Sequence, residues 1–127
     1  MEASMAVQNI VEIGFGVVYL FIAGFNITYT LKYGQKLYMT FAEGTWFTPA
    51  RRLIPKYVIP HPRLLTVPLI LVQLFAGIAI LSRGPFAGLG LLAGVFFCMY
   101  AVFVSNFQGA IANIAMAVLQ FYLATAR

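Results

Sequence analysis

The sequence predicts an all-α polytopic membrane protein, a bundle of four transmembrane helices with a long interfacial loop between helices 1 and 2. Of its 127 residues, 62% are hydrophobic and only 9% are charged, whereas about a quarter of a soluble domain is charged. A soluble fold this small would have too few charges to cover its surface. The apolar residues fall into four long runs, and six of the eight Lys and Arg residues fall between the first two runs. The length fits one domain covering 1–127.

The first predicted span is 7–31, which is interrupted by a few polar side chains, Glu12 and Asn26 among them. At 1.5 Å per residue it exceeds a hydrocarbon core of about 30 Å, so we expect the helix to tilt or to project into the interface. Gly16 and Ala23 are among its small residues, which allow close helix contact. The N-terminus lacks the basic region of a secretory signal, so we expect this helix to stay in the mature protein.

The interfacial loop is predicted at 32–63. Its first part continues the helix, because aromatic and apolar side chains recur every four residues, and Glu43-Gly44 ends it. Thr48-Pro49 predicts a second short helix, with Thr48 as N-cap, that stops near Pro55. The sequence Pro60-His61-Pro62 predicts an extended segment.

The remaining spans are predicted at 64–81, 86–104 and 109–126. The turn at 82–85 and the link at 105–108 are short, so these three helices should be antiparallel neighbours. The glycines of the third span allow close approach of a neighbouring backbone. In the fourth span, alanines recur every seven residues and Asn113 and Gln120 share that spacing, which predicts one packed seam with two buried polar side chains.

The basic residues of the segment 32–63 predict the orientation of the protein. The opposite side carries only Arg83 and Arg127, so the positive-inside rule places the large loop in the cytoplasm and both termini outside. Because the positive charge is gathered in one loop, it does not indicate nucleic-acid binding. The loop could equally dock on anionic lipid headgroups or on an acidic partner. The candidate docking residues are Lys36, Trp46, Arg51, Arg52, Lys56 and Arg63.

The polar side chains within the spans are the other candidate sites. Glu12 either lies at headgroup depth, paired with Arg83 or Arg127, or acts as a proton-linked or ligand-binding carboxylate. Gln73 either makes an interhelical hydrogen bond or contacts a ligand in the bundle. The expected hydrogen-bond partners of Gln73 are Asn26, Asn113 and Gln120. Asn113 and Gln120 are also candidate polar residues within the membrane.

The residues needed for most catalytic sites are missing. The chain has no Asp, and its single His (His61) and single Cys (Cys98) make a poor metal set. A Ser-His-Asp triad is impossible without Asp, and no phosphate-binding GxxxxGK[ST] motif occurs. We therefore expect no catalytic residues, no metal site and, on balance, no enzymatic activity of this chain alone.

Two stretches resemble a known family: GVVYLFIAG at 16–24 and VQLFAGIAIL at 72–81, followed by a short turn and a Gly-rich third helix. This layout resembles the DoxX-like family of small four-helix membrane proteins, which implies a part in membrane oxidoreductase systems, often as a subunit. The chain departs from the family pattern where Gln73 replaces a glutamate and where Asn26 or Ile27 replaces a lysine, so roles that depend on those charges do not carry over. Small multidrug resistance transporters also have four helices and a glutamate in the first helix, but their loops are short.

Three functional hypotheses follow. The first is a structural or assembly subunit of a larger membrane complex, of the oxidoreductase or bioenergetic kind, in a bacterial cytoplasmic membrane. The second is a DoxX-like oxidoreductase component that binds a quinone or a lipid. The third is a proton-coupled transporter that uses Glu12. The expected partners are membrane lipids and other membrane-protein subunits, and the expected cofactor is a quinone or a bound lipid.

Overall fold

The computed structural model describes residues 2–126, with side chains from residue 5 onward. This region is helical with short connections and contains no strand. The α-helices are α1 (Glu2–Phe25), α2 (Leu31–Gly44), α3 (Thr48–Leu53), α4 (Pro62–Leu81), α5 (Ala87–Val104) and α6 (Phe107–Thr125), and π-helical segments cover Asn26–Thr30 and Ile54–Val58.

The first helical stretch is longer than one membrane span. Helix α1 continues through the π-helical segment Asn26–Thr30 into α2, so that Met5–Gly44 is 40 residues of helix. At 1.5 Å per residue this is about 60 Å, twice the thickness of a hydrocarbon core. The backbone leaves helical geometry at Tyr33, with φ −119° and ψ 25°, and this kink divides the stretch. The predicted span end at residue 31 lies two residues before the kink, and the predicted helix end at Gly44 is confirmed.

The connection that follows α2 is also mostly helical. Helix α3 begins at Thr48, but its N-cap is Phe47, without a side-chain hydrogen bond, so the prediction of Thr48 as N-cap was wrong. The helix does not stop near Pro55 either. It continues into the π-helical segment, where Ile59 N donates to Ile54 O at 3.0 Å. Pro55, which has no N–H to donate, lies within this turn of five-residue hydrogen-bond spacing. Most of 32–63 is therefore helix rather than an open loop.

The three later helices begin and end within two residues of their predicted bounds. Helix α4 begins at Pro62, so the prediction of an extended Pro60-His61-Pro62 segment was wrong for Pro62. Helix α5 follows the turn around Arg83, whose φ of 58° is left-handed. Asn106 caps α6 by accepting a hydrogen bond from Gly109 N at 2.8 Å. Four helices in the described part of the chain are long and apolar enough to cross a membrane: the stretch from Met5, α4, α5 and α6.

The helices pack in the order α1, α4, α5, α6, each mainly against the next. Gly16 and Gly77 let α1 and α4 approach closely. A Cβ at Gly16 would lie 2.7 Å from Leu81 Cγ, and a Cβ at Gly77 would lie 3.0 Å from Gly16 O. One core cluster fills the bundle near this crossing, formed by Phe15, Tyr19, Ala76, Ile80, Leu91 and Leu123.

A second core cluster holds α2 and α3 against the bundle. Its buried members are Tyr38, Ala42, Ala50 and Ile54, with Leu65 and Val104 among the residues packed on them. The connection between α2 and α3 also satisfies carbonyls that the last turn of α5 leaves without intrahelical partners. Thr45 Oγ1 donates to Phe103 O at 2.8 Å, and Trp46 Nε1 donates to Val102 O at 2.6 Å. This arrangement fixes α2 over one end of α4 and α5, which is where the candidate site lies.

Candidate functional site

A cavity of about 200 Å³ lies where the first π-helical segment, α2, α4 and α5 meet. Its wall is mainly apolar and aromatic, with polar groups from Asn26, Thr30, Gln73 and two tyrosines. This composition is typical of small-molecule sites, in which a few polar groups orient a ligand within an apolar enclosure. The apolar lining includes Ile22, Phe25, Leu37, Phe41, Leu69 and Phe97.

A directed set of hydrogen bonds orients the Gln73 side chain. Thr30 Oγ1 donates to Asn26 Oδ1 at 2.6 Å, and Asn26 Nδ2 donates to Gln73 Oε1 at 2.8 Å. Gln73 is only 1% exposed. The interhelical hydrogen bond expected for Gln73 is therefore present, and Asn26 is the partner among the three that were considered.

The π-helical segment brings these groups to the cavity. A π-helical turn is wider than an α-helical turn and is frequent at functional sites. Within Asn26–Thr30, the side chains of Asn26 and Thr30 both reach the cavity wall, while Thr28 bonds back to Gly24 O at 2.9 Å on the exposed side.

Two buried polar atoms at the cavity have no hydrogen-bond partner among the residues described. They are Gln73 Nε2 and the Tyr100 hydroxyl, and both residues line the cavity. A buried unsatisfied donor costs about 1–3 kcal/mol, and the cost rises where no water is present to substitute. Such atoms call for a specific reason in a native fold, and a bound molecule is one.

The second tyrosine of the wall, Tyr38, already has a partner. Its hydroxyl lies 2.6 Å from Thr66 Oγ1. Thr66 uses its one proton on Pro62 O at 2.8 Å, so Tyr38 must donate to Thr66. The hydroxyl proton of Tyr38 is thus consumed within the protein, and its role at the cavity is to position the wall.

Glu12 lies away from this cavity, within the end of the bundle that faces the turn between α4 and α5. Its Oε2 accepts from Arg83 Nη1 at 2.8 Å, and Arg83 Nη2 also donates to Asn9 Oδ1. The carboxylate is 3% exposed. Of the two expected basic partners, Arg83 is the one that the structure pairs with Glu12, whereas Arg127 lies outside the described residues.

The predicted polar seam of α6 is only half present. Gln120 is fully buried and accepts from the Tyr19 hydroxyl at 2.6 Å, while its amide nitrogen donates to Cys98 Sγ at 3.3 Å. Asn113, in contrast, is half-buried and donates to Gly109 O of its own helix at 2.8 Å. The prediction that both would be buried was wrong for Asn113, which is only half-buried although it lies on the same helix face as Ala110 and Ala117.

The candidate docking residues divide into two groups. Lys36, Arg52, Lys56 and Arg63 are exposed, and no ion pair joins them to a carboxylate in the part of the chain whose side chains are described. Arg51 Nε donates to Thr45 O at 2.8 Å, and Trp46 caps α5 as described above. Arg51 and Trp46 therefore stabilise the fold through these hydrogen bonds, in addition to any contact with lipid or a partner.

No group of three or more His, Cys, Asp or Glu residues that could hold a metal occurs among the described residues. Sequence reasoning did not single out Thr30, Tyr38 and Tyr100 as parts of a site. For Tyr100 the sequence gives little signal, because it lies in an aromatic-rich run. For Thr30 the available signal was the alternation of the polar residues Asn26, Thr28 and Thr30 inside an apolar helix.

Comparison with protein-family models, with curated proteins and with solved structures finds no significant match to this chain.

Proposed function

We propose that this protein is a small integral membrane protein that binds a lipophilic molecule in the cavity between α1, α2, α4 and α5. One observation supports this proposal above the others: Gln73 lines an apolar cavity, and its buried amide donor, Nε2, has no partner in the described structure. The proposal corresponds to the second hypothesis from the sequence, a quinone- or lipid-binding membrane component of DoxX-like layout.

In this proposal each of the four long apolar helices crosses the bilayer, and α2 and α3 lie at the interface. The many large apolar side chains on the outer faces support the membrane setting, among them Phe21 and Phe96, each 78% exposed. Such side chains suit lipid tails.

The other two hypotheses have less support. A purely structural subunit needs outer faces that pack on protein, but apolar outer faces suit lipid equally well, and the cavity would then have no purpose. A transporter that uses Glu12 needs the carboxylate at the transport site. Glu12 does not line the cavity and is paired with Arg83.

The proposal is tested by filling the cavity. Ala101 lines the cavity, whereas Ala112 is exposed on α6. We expect the wild-type protein, purified in mild detergent, to release a stoichiometric lipophilic molecule on solvent extraction, as measured by mass spectrometry. Ala101→Phe should lose it, and Ala112→Phe, which adds the same volume on an outer face, should retain it.

A second cavity-filling variant provides an independent test in case Ala101→Phe misfolds. Leu69→Trp fills the cavity from α4 and should also lose the molecule, with circular dichroism showing that both variants stay helical. Equal amounts of extracted molecule in the wild type and in both folded cavity-filling variants would refute the proposal, as would the absence of any stoichiometric molecule from the wild type.

A further inference from the structure

We infer that the molecule bound in this cavity presents a carbonyl oxygen, a hydrogen-bond acceptor, to Gln73 Nε2. The inference rests on the proposed function, since it specifies the chemistry of the ligand for the same site. It follows from the direction of the hydrogen bonds in the wall, the size of the cavity and the exposure of one lining residue.

The polarity of the site is set by the hydrogen bonds that end at Gln73. Asn26 accepts from Thr30 through its oxygen and donates to Gln73 through its nitrogen. The oxygen of Gln73 therefore already accepts a hydrogen bond, whereas its buried NH₂ group has no partner among the described residues. An NH₂ group donates only, so its partner must be an acceptor.

Tyr100 adds a second group of compatible chemistry. Its hydroxyl is buried and unpartnered in the described structure, and a phenol can donate as readily as it can accept. Tyr38 cannot supply a further donor, since its proton goes to Thr66. The wall thus offers one obligatory donor and one adaptable group, a combination that suits a carbonyl oxygen and leaves an aliphatic chain without a polar partner.

The size of the cavity limits how much of the ligand it holds. A cavity of about 150 Å³ is known to accept a benzene ring, so the volume of about 200 Å³ here accommodates one ring or one ester group. Phe41 and Phe97 line the space and favour a planar group, because aromatic rings stack on flat partners. Phe25 lines the cavity and is also 46% exposed. A long tail can therefore leave past Phe25 toward the lipid.

Two sources in a membrane share this chemistry: the ring carbonyl of a quinone and the ester carbonyl of a glycerolipid. Two pairs of probes separate them. The first pair is 2-decyl-1,4-benzoquinone and decylbenzene, and the second is monoolein and its oleyl ether analogue. Within each pair the tail is kept and the carbonyl is removed. Binding is measured on purified protein in detergent as the dissociation constant and as the shift of the thermal unfolding midpoint.

We expect one carbonyl probe to bind at least about tenfold more tightly than its partner without the carbonyl, because the lost acceptor leaves a buried donor unpaired. The pair that shows the difference identifies the source. Gln73→Leu should abolish the difference. Gln35→Leu should preserve it, since Gln35 is exposed and bonds to Ile59 O outside the cavity.

The outcomes separate this inference from the proposed function. If both members of each pair bind equally and Ala101→Phe blocks them all, the cavity binds lipophiles but the acceptor inference is wrong. A preference for decylhydroquinone over the quinone in the wild type would also overturn it, because Gln73 would then present its oxygen. If no probe binding responds to Ala101→Phe, the site itself is refuted.

Discussion

Tyr19 on α1 donates a hydrogen bond of 2.6 Å to Gln120 on α6, across 101 residues of sequence. The main helix contacts run from α1 to α4, α5 and α6 in turn, so this bond joins the first and last members of the series. Gly94 on α5 leaves the space in which the two side chains meet, because a Cβ there would overlap Gln120 Oε1 and the Tyr19 hydroxyl.

Replacing this glycine tests the importance of that bond. Gly94→Ala should lower the free energy of unfolding by about 1–3 kcal/mol, as overpacking of a tight core does. The measurement is unfolding in a denaturing-detergent titration followed by circular dichroism. Gly24→Ala is the matched control, since nothing lies within 4 Å of a Cβ at that position. It should be neutral or slightly stabilising, because alanine favours helix over glycine. Equal effects of the two substitutions would show that the Gly94 contact is unimportant.

The ion pair between Glu12 and Arg83 gives a second prediction. Glu12 is 3% exposed and Arg83 is 32% exposed, so removing the arginine takes the ion pair away from a carboxylate in a poorly solvated position. Arg83→Ala should destabilise the fold by on the order of 3 kcal/mol, the cost of breaking a buried pair from one side. Removing both charges in Arg83→Ala with Glu12→Gln should restore part of the loss.

The control for this pair is Arg63→Ala. Arg63 is exposed and makes no ion pair with a described carboxylate, so its loss should change the free energy of unfolding by less than about 0.5 kcal/mol. A double variant that is less stable than Arg83→Ala alone would contradict the explanation that the loss comes from breaking the ion pair.

The limits of sequence reasoning follow from particular residues. The bounds of α4 to α6 were predictable because Pro62, the turn at Arg83 and the cap at Asn106 interrupt long apolar runs. The passage from α1 to α2 was predicted less well. Apolar periodicity does not reveal a switch from four-residue to five-residue hydrogen bonding, and so the π-helical segments were not anticipated.

The candidate site was predictable only in part, for a related reason. Gln73 was recognisable as a polar residue inside an apolar helix, and Asn26 was among its expected partners. The hydroxyl of Tyr100 was not recognisable as part of a site, because tyrosine is equally common at interfaces, in cores and in binding sites. Which tyrosine lacks a partner depends on tertiary contacts such as the bond from Tyr38 to Thr66.

The exposed basic residues around α3 predict retention of anionic lipid. Each Lys or Arg near a negatively charged surface contributes about 1 kcal/mol. Arg52→Gln with Lys56→Gln should therefore reduce the phosphatidylglycerol retained after purification from mixed bilayers, as counted by native mass spectrometry. Arg51 is left in place because its side chain also bonds to Thr45 O.

The matched control exchanges the same two basic residues for each other's type, so the charge does not change. Arg52→Lys with Lys56→Arg should retain as much phosphatidylglycerol as the wild type, and retention should fall with added salt because surface charges are screened. If the neutral double variant retains the wild-type amount, these residues do not dock on anionic lipid, and an acidic protein partner or a topology signal remains as their role.

The membrane orientation gives the last prediction. Six basic residues lie in the range 32–63, against Arg83 and Arg127 on the side predicted to be opposite, so the positive-inside rule predicts that α2 and α3 are cytoplasmic. In a Cys98→Ala background, Tyr57→Cys should react with a membrane-impermeant maleimide only after the cells are opened. Ser82→Cys should react on intact cells. Tyr57 and Ser82 are both exposed in the structure, so access to the reagent, rather than burial in the protein, decides the labelling. The original Cys98 is buried and should stay unlabelled in the folded wild type, which checks that the protein is intact. Labelling of Tyr57→Cys on intact cells would show the inverted orientation and would mean that the basic residues serve a partner on the outer side.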